Sequence, residues 1–273
     1  MDTNSNQARR VVIGITAHVD AGKTTLAEAM LYRTGRLRKL GRVDHGSAAM
    51  DSHLLERERG ITIFSSQAEL PIGNLEVTLL DTPGHVDFSA EMERTLSVLD
   101  YAILVISGAD GVQAHTRTLW RMLELYRVPT FLFVTKMDFG RRGRGQMMEH
   151  LRHELGEGCV DFTPADRERR MEQLATCRED ALEAYLDGGE VPDALVRQLV
   201  GRRLVFPCWF GSGLKLEGID EFLEGLARYV EPPVYPETFS ARVFKISHDP
   251  QGKRLTHLKV TGGTLRVRDA VSY

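Results

Sequence analysis

Cysteine is scarce in this chain, and the cysteines that occur are far apart. The 273 residues include Cys159, Cys177 and Cys208, and no two of them form a C-x-x-C pair. A disulfide framework or a structural zinc site is therefore not expected, and a reducing cytoplasm fits this composition best.

Long apolar runs are also lacking, as is a large excess of either charge. No run approaches the ~20 residues that a membrane-spanning helix requires, so we do not expect a membrane protein. Residues 1–10 are polar and lack the apolar centre of a signal peptide, and we expect them to be a disordered lead-in. A formal net charge of −3 argues against a protein that coats DNA by bulk electrostatics.

Predicted strands and helices alternate through most of the chain. Tyr101–Ser107 and Phe131–Thr135 are almost unbroken apolar runs, as expected of strands buried on both faces. Ile61–Leu70 and Leu75–Leu80 are strand runs joined by a hairpin-like turn. The order predicts an α/β fold, built on a doubly wound, mostly parallel sheet with one antiparallel edge.

Residues 11–230 are predicted to form this α/β domain, with an insertion at about 157–202 that packs on one edge of the sheet. The proline-rich stretch within 231–238 predicts a stiff linker. Alternating strand patterns over 239–273 predict the start of a β-barrel domain. Because a closed barrel needs roughly 50–90 residues, we expect this second domain to be incomplete and the chain to be the front of a longer protein.

A phosphate-binding loop is predicted between the first strand and the first helix. Backbone N–H groups there would cradle phosphate oxygens, Gly22 would allow close approach, and Lys23 would reach the β- and γ-phosphates. The Thr24 hydroxyl would bind Mg²⁺. The pattern departs from G-x-x-x-x-G-K-[ST] at its first position, and the loop reads Ala17-His18-Val19-Asp20-Ala21-Gly22-Lys23-Thr24-Thr25.

A second motif is predicted to select the base of the nucleotide. Thr135-Lys136-Met137-Asp138 directly follows an apolar strand, and the Asp138 carboxylate could accept two hydrogen bonds from the N1–H and amino edge of guanine. Adenine offers no such edge, so the motif predicts GTP and GDP as ligands. The backbone at Ser212 and Gly213, after the last strand, could meet the guanine O6, although the same residues are also typical of an ordinary turn.

Residues near the predicted γ-phosphate would complete the chemistry. Asp81 could accept from a water on Mg²⁺, Gly84 could donate its N–H to a γ-phosphate oxygen, and Thr62 could give Mg²⁺ a second hydroxyl. His85 could orient a water for attack. Thr62 also fits a plain strand start, and His85 also fits a surface loop. The polar segment Gly35–Gly60 has the character of one that a ligand orders and then releases.

Taken together, the motifs resemble those of translational GTPases, specifically elongation factor G and its relatives. The resemblance rests on the phosphate loop, on Glu58-Arg59-Gly60-Ile61-Thr62-Ile63 and on Asp81-Thr82-Pro83-Gly84-His85-Val86-Asp87-Phe88. Leu54-Leu55-Glu56-Arg57 and Gly111-Val112-Gln113-Ala114-His115-Thr116-Arg117 are similar to the tetracycline-resistance ribosomal protection proteins. The implied fold is a P-loop GTPase followed by a truncated β-barrel.

The resemblance also implies roles for particular residues. His85 would be the catalytic residue that orients water, engaged fully when ribosomal RNA holds it, and Val19 and Ile61 would flank it as an apolar gate. Asp20 would help to hold a monovalent cation. Thr135 stands where most relatives have Asn, and a hydroxyl has fewer hydrogen bonds to give, so nucleotide affinity could differ. Gly213 stands where Ala is usual, which should loosen its loop slightly.

The leading hypothesis is therefore a cytoplasmic, monomeric, Mg²⁺-dependent GTPase that is stimulated by the GTPase-associated region of the ribosome. Its partners would include neither DNA nor a membrane. A tRNA-delivering factor shares the nucleotide site and stays open as an alternative. A binding protein that senses GTP and hydrolyses it negligibly is an alternative of another class.

Overall fold

The structure is a computed structural model that describes residues 9–38, 66–82, 89–139, 142–163, 167–249 and 251–270. Nine strands and eight α-helices lie within these residues. In chain order they are β1 (Arg9–Ala17), α1 (Lys23–Arg33), β2 (Ser66–Ile72), β3 (Leu75–Asp81), α2 (Ser89–Leu96), β4 (Tyr101–Ser107), α3 (Ala114–Leu125), β5 (Thr130–Thr135), α4 (Arg144–Leu155), β6 (Cys159–Asp161), α5 (Arg167–Thr176), α6 (Glu179–Gly188), α7 (Asp193–Gly201), β7 (Phe206–Phe210), α8 (Ile219–Tyr229), β8 (Ser240–His248) and β9 (Arg254–Gly262). None of the helices in the described ranges is both long enough and apolar enough to cross a membrane.

Seven strands form one sheet in the order β2-β3-β1-β4-β5-β7-β6. Every neighbouring pair is parallel except β2 and β3, which are antiparallel and joined at Gly73, a residue with φ of 56°. The left-handed φ favours glycine at this turn. The predicted α/β fold, with a mostly parallel sheet and one antiparallel edge, is confirmed.

Alternate residues of the central strands enter two different cores. In β4, Tyr101, Ile103 and Val105 pack on one face of the sheet, while Ala102, Leu104 and Ile106 pack on the other. Helices α1 and α8 cover the first face, and α3 and α4 cover the second. Because both faces are buried, these strands are apolar throughout, which is why the sequence pattern identified them.

The insertion contributes a strand that the sequence did not indicate. Cys159–Asp161 forms β6 and pairs in parallel with β7 at the edge of the sheet. The same insertion also contains the helices α5, α6 and α7. Ala181 and Leu199 belong to the same core as β1, so the insertion packs against the domain as an integral layer.

The β8–β9 hairpin contacts the sheet domain where α2 ends and β4 begins. Lys259 Nζ donates to Asp100 Oδ1 at 2.6 Å and to the Val98 carbonyl at 2.8 Å. Phe244 of β8 packs with Leu80 and Val98 in a small apolar cluster. A partly buried ion pair and an apolar contact therefore hold the hairpin against the sheet domain.

A helical glycine provides a test of the packing between α8 and the sheet. A Cβ at Gly225 would lie 2.2 Å from Trp209 Cζ2, whereas a Cβ at Gly201, the last residue of α7, would meet no atom within 4 Å. We expect Gly225→Ala to lower the free energy of unfolding by about 1–3 kcal/mol because the rigid indole cannot move aside cheaply. Urea unfolding followed by circular dichroism measures this change.

Gly201→Ala is the matched control. Both substitutions replace a helical glycine, but the second adds a methyl group in open space and reduces the freedom of the unfolded chain. It should leave stability unchanged or raise it by about 0.5–1 kcal/mol. If both variants unfold at the same urea concentration, the close packing of α8 on Trp209 is wrong.

Candidate functional site

The carboxyl ends of the central parallel strands lie along one edge of the sheet. Asp81 is in register with Ile15, Ala17 with Val105, and Ser107 with Thr135. In open α/β sheets, ligands bind in the crevice outside these strand ends. The sequence motifs that follow β1, β3 and β5 are therefore brought to one edge.

The predicted phosphate loop spans the connection between β1 and α1. Ala17 is the buried last residue of β1, so its extended backbone does not need a glycine. Asp20 and Gly22 have φ of 61° and 94°, which turn the chain sharply into the helix. The first bond of α1 runs from Leu26 N–H to the Gly22 carbonyl at 2.9 Å, so the N–H groups of the first helical turn have no acceptor inside the helix. Such a helix start attracts anions.

A buried ion pair joins the phosphate loop to β3. The Lys23 ammonium contacts the Asp81 carboxylate, and it also donates to the Thr82 carbonyl at 2.8 Å. Lys23 is 9% exposed and Asp81 is fully buried, so each charge compensates the other in a poorly solvated position. The two groups predicted to contact phosphate and Mg²⁺ thus lie together at the strand ends.

The end of β5 is bonded directly to the phosphate loop. The Thr135 hydroxyl donates to the Ala21 carbonyl at 2.6 Å, and the Ile106 carbonyl lies 3.3 Å from the same oxygen. Lys136 Nζ donates to the Asp20 carbonyl at 2.5 Å. A hydroxyl at position 135 therefore connects the two loops, the task that the amide of Asn was expected to perform.

Asp138, the predicted base selector, lies on a short 3₁₀ turn (Met137–Phe139) and is exposed. Lys215 Nζ is 2.8 Å from Asp138 Oδ2. The hydrogen bond from Lys215 lowers the pKa of the Asp138 carboxyl and, in return, raises the pKa of Lys215. Asp138 is therefore ionised at neutral pH, as an acceptor for two N–H groups requires.

The loop after β7 lies against α1. A Cβ on Gly213 would come within 2.9 Å of the Thr25 carbonyl oxygen, so this glycine permits a close backbone contact instead of merely loosening the loop. The Ser212 N–H is bonded to the Glu217 carbonyl at 2.9 Å, and the Gly211 N–H to the Val134 carbonyl at 3.0 Å. The Gly213 N–H has no acceptor among the described residues and is the donor left for a ligand.

The available oxygen donors fit a hard divalent cation. Asp81 provides a buried carboxylate, and Thr24 provides a hydroxyl in the first turn of α1, beside Lys23. Mg²⁺ prefers such oxygen ligands together with water and phosphate oxygens. Of the two residues predicted to bind Mg²⁺, Thr24 lies in this turn and Thr62 lies outside the described residues; Asp81 is the predicted acceptor from a water on the ion.

Several predicted residues lie outside the described residues. These are Ile61, Thr62, Gly84 and His85, and their roles stay predictions. Val19 and Thr25 are half-buried beside the loop, and the His18 ring centroid is 5.9 Å from that of His115 at the start of α3.

Sequence reasoning missed Lys215 as a partner of Asp138. The two residues are 77 positions apart, and no spacing rule connects them. One signal could have identified Lys215: it lies three residues after Ser212, in the loop that was predicted to contact the base.

Comparisons with known proteins agree with this arrangement. A family model described as the elongation factor Tu GTP binding domain matches residues 8–232. The oxytetracycline resistance protein of Streptomyces rimosus is 39% identical over 289 residues, which cover 95% of this chain and 43% of that protein. Tetracycline resistance protein TetM from transposon Tn916 of Enterococcus faecalis is 36% identical over 279 residues, with the same two coverages.

A solved structure agrees as well. The crystal structure of a Thermus thermophilus protein superposes with a TM-score of 0.85 at 28% identity, covering 96% of this chain and 47% of that one. The chain thus spans less than half of the length of these relatives. The resemblance to translational GTPases and to ribosomal protection proteins is confirmed, and the chain belongs to the elongation factor Tu GTP-binding domain family.

Proposed function

We propose that this chain binds GTP and hydrolyses it to GDP and phosphate as the nucleotide-binding part of a ribosome-dependent translation factor. One observation carries the proposal: Thr135 and Lys136 bond to the carbonyls of Ala21 and Asp20, at 2.6 and 2.5 Å. Because the base-selecting turn is tied to the phosphate loop, a single nucleotide can contact both.

On binding, guanine would replace Lys215 as the partner of the Asp138 carboxylate. The base offers two parallel N–H groups to the carboxylate that Lys215 contacts in the described structure. Gly213 would donate its N–H to O6, an atom that accepts in guanine and is replaced by an amino group in adenine. ATP would leave both protein groups without a partner, which supports discrimination of roughly 10⁴–10⁵-fold.

The phosphates would separate the ion pair of Lys23 and Asp81. The ammonium turns to the β- and γ-phosphate oxygens, while the first-turn N–H groups of α1 hold the remaining oxygens. Thr24 and Thr62 would hold Mg²⁺, and Asp81 would accept a hydrogen bond from a water on the ion, which would neutralise charge on the β- and γ-oxygens. Asp20 would help to hold a monovalent cation at the same loop.

Hydrolysis would depend on a positioned water. His85 orients this water, with Val19 and Ile61 as the apolar gate around it, and ribosomal RNA holds the imidazole in place. Thr62 and Gly84 contact the γ-phosphate, so its loss releases the segment Gly35–Gly60 and the loop after Asp81. The chain would thereby report whether GTP or GDP is bound.

The names of the relatives favour ribosomal protection as the role of the complete protein, since two of them are described as tetracycline resistance proteins. Elongation of the factor G type uses the same nucleotide chemistry. We propose a cytoplasmic monomer that binds the GTPase-associated region of the ribosome. A tRNA-delivering factor and a GTP sensor without turnover are the competing functions, and ribosome-stimulated turnover excludes the sensor.

Replacement of Asp138 tests the selection of the base. In Asp138→Asn, an amide donor faces the guanine amino group, so GTP affinity should fall about 10- to 100-fold. Xanthine carries a carbonyl at C2 that the amide can donate to, so affinity for xanthosine triphosphate should rise. Calorimetric titration with both nucleotides measures the exchange.

Asp220→Asn is the control for this substitution. Asp220 lies in the first turn of α8 and pairs with Arg33 at 3.3 Å, and neither residue is predicted to contact the nucleotide. It should bind GTP as the parent chain does. An Asp138→Asn variant that still prefers GTP over xanthosine triphosphate would remove Asp138 from base selection.

Replacement of His85 tests hydrolysis separately from binding. In the complete gene product, His85→Ala should bind GTP nearly as well as the parent but lose ribosome-stimulated turnover by about 100-fold or more, because the water is no longer oriented. Phosphate release with and without ribosomes measures the effect. His153→Ala, at an exposed position on α4, should leave turnover unchanged, and equal turnover in all three proteins would exclude His85 from the mechanism.

A further inference from the structure

A second polar cleft lies between α4 and the insertion, away from the phosphate loop. It has a volume of about 170 Å³ and is enclosed by α4, the end of β6 and α5. In the sheet order, β6 is four strand positions from β1, or roughly 19 Å at the usual strand spacing. The cleft is therefore separate from the phosphate loop.

We call this site the arginine cleft. It is defined by Arg144, Arg152, Asp161, Arg169, Arg170 and the polar groups beside them, and positive charge dominates it. Four arginines and one aspartate are among the described lining residues, and three arginines remain if Arg169, which has a partner of its own, is left aside. Asp161 is the one carboxylate among the described lining residues. The arginine cleft thus has more cationic groups than its own anions can balance.

The single carboxylate is already occupied. Arg144 donates to both oxygens of Asp161, from Nε and Nη2, each at 2.6 Å, and the Thr163 N–H donates to Oδ1 at 2.9 Å. This bidentate geometry is the strong form of an arginine–carboxylate pair. Asp161 is thereby held to Arg144 and has little capacity left for Arg152 or Arg170.

Arg152 and Arg170 make neutral contacts only. Arg152 Nε donates to the Cys159 carbonyl at 3.1 Å, and Arg170 Nη1 donates to the Phe162 carbonyl at 3.3 Å. The Arg170 guanidinium also lies 5.5 Å from the Phe162 ring centroid. Neither arginine forms an ion pair within the described part of the chain, so two partly buried cations lack a counter-charge.

Hydrogen-bond donors in the same residues also lack partners. Arg152 Nη2, Arg170 Nε and Thr163 Oγ1 are buried and have no acceptor among the described residues, and Gln173 Oε1 is buried without a donor. Rotation of the Gln173 amide would present its N–H₂ instead, because the two orientations are equivalent in shape. Buried polar groups in folded proteins are nearly always paired, so this concentration of donors indicates a missing acceptor.

We propose that the arginine cleft binds the phosphate group of a small phosphomonoester. A phosphate dianion offers three acceptor oxygens to several donors, and its two negative charges match Arg152 and Arg170, the two arginines without a counter-charge among the described residues. Arginine forks match its oxygens in geometry. The cleft has room for a phosphate and a few carbon atoms, whereas a phosphodiester within a nucleic acid carries one charge and two flanking sugars.

The test uses glycerol 3-phosphate as the probe and amide chemical shifts as the readout. The chain is first saturated with GDP and Mg²⁺, and ionic strength is held constant with potassium chloride. We expect saturable shifts at Gly145, Thr163 and Gln173, which line the cleft. The proposal would be wrong if shifts were confined to the phosphate loop, or if millimolar glycerol 3-phosphate caused no saturable shift. Neither result would bear on GTP binding, because the chain is already saturated with GDP.

Charge-removing variants identify the groups responsible. Arg152→Gln and Arg170→Gln should each weaken binding of glycerol 3-phosphate by about 10-fold or more, since each removes a charge-assisted donor. Arg121→Gln changes the net charge equally at an exposed position on α3 and should have little effect. If all three variants bound glycerol 3-phosphate equally weakly, the probe would be attracted only by the net charge of the protein. That result would contradict the proposed site.

Titration with a short single-stranded RNA distinguishes the two ligand classes, which are a small phosphomonoester and the phosphodiester backbone of a nucleic acid. If RNA shifts Gly145, Thr163 and Gln173 while glycerol 3-phosphate does not, the small-molecule proposal is wrong. If glycerol 3-phosphate shifts them and RNA does not, the proposal stands. The titration of the unmodified chain keeps the test valid even if an arginine variant fails to fold.

Discussion

The hydrogen bond from the Thr135 hydroxyl to the Ala21 carbonyl is the constraint on which the rest of the site depends. It joins residues 114 positions apart at a distance of 2.6 Å, in a buried setting where a lost partner would be costly. The parallel register of β1, β4 and β5 brings their carboxyl ends together, and this bond then fixes the two loops to each other. The bond from Lys136 Nζ to the Asp20 carbonyl joins the same two loops, so the phosphate loop and the base-selecting turn are tied together at two points.

Two ion pairs hold the ligand-binding groups in the described structure. Lys23 pairs with Asp81 where the phosphates and Mg²⁺ would bind, and Lys215 pairs with Asp138 where guanine would bind. The first pair is buried, so each charge needs the other until a ligand supplies new partners. The second pair is exposed and competes more weakly with a base. Nucleotide binding would therefore exchange these partners: phosphate oxygens would replace Asp81 at Lys23, and the neutral N–H donors of guanine would replace Lys215 at Asp138.

The sequence predicted those parts of the fold in which a strong local pattern agrees with the tertiary structure. Tyr101–Ser107 has the predicted bounds because a nearly unbroken apolar run is the pattern of a strand that is buried on both faces. The sequence did not predict β6, because three residues are too few to show a periodic pattern. It also did not predict α2, which forms a helix over Ser89–Leu96. The motifs predicted the phosphate and base loops, whereas the Thr135 bond, the Lys215 partner and the close approach of Gly213 to α1 are long-range contacts that no local spacing indicates.

The relative affinity of the purified chain for GTP and ATP tests the central claim most directly. Both nucleotides carry the same triphosphate, so any difference reports whether the turn that holds Asp138 belongs to the pocket that holds the phosphates. Competition binding at equilibrium, with Mg²⁺ present, should give a preference for GTP of about 10⁴-fold. Equal uptake of ATP and GTP would contradict the account, because it would mean that the phosphate loop binds its ligand without contact between the base and the end of β5.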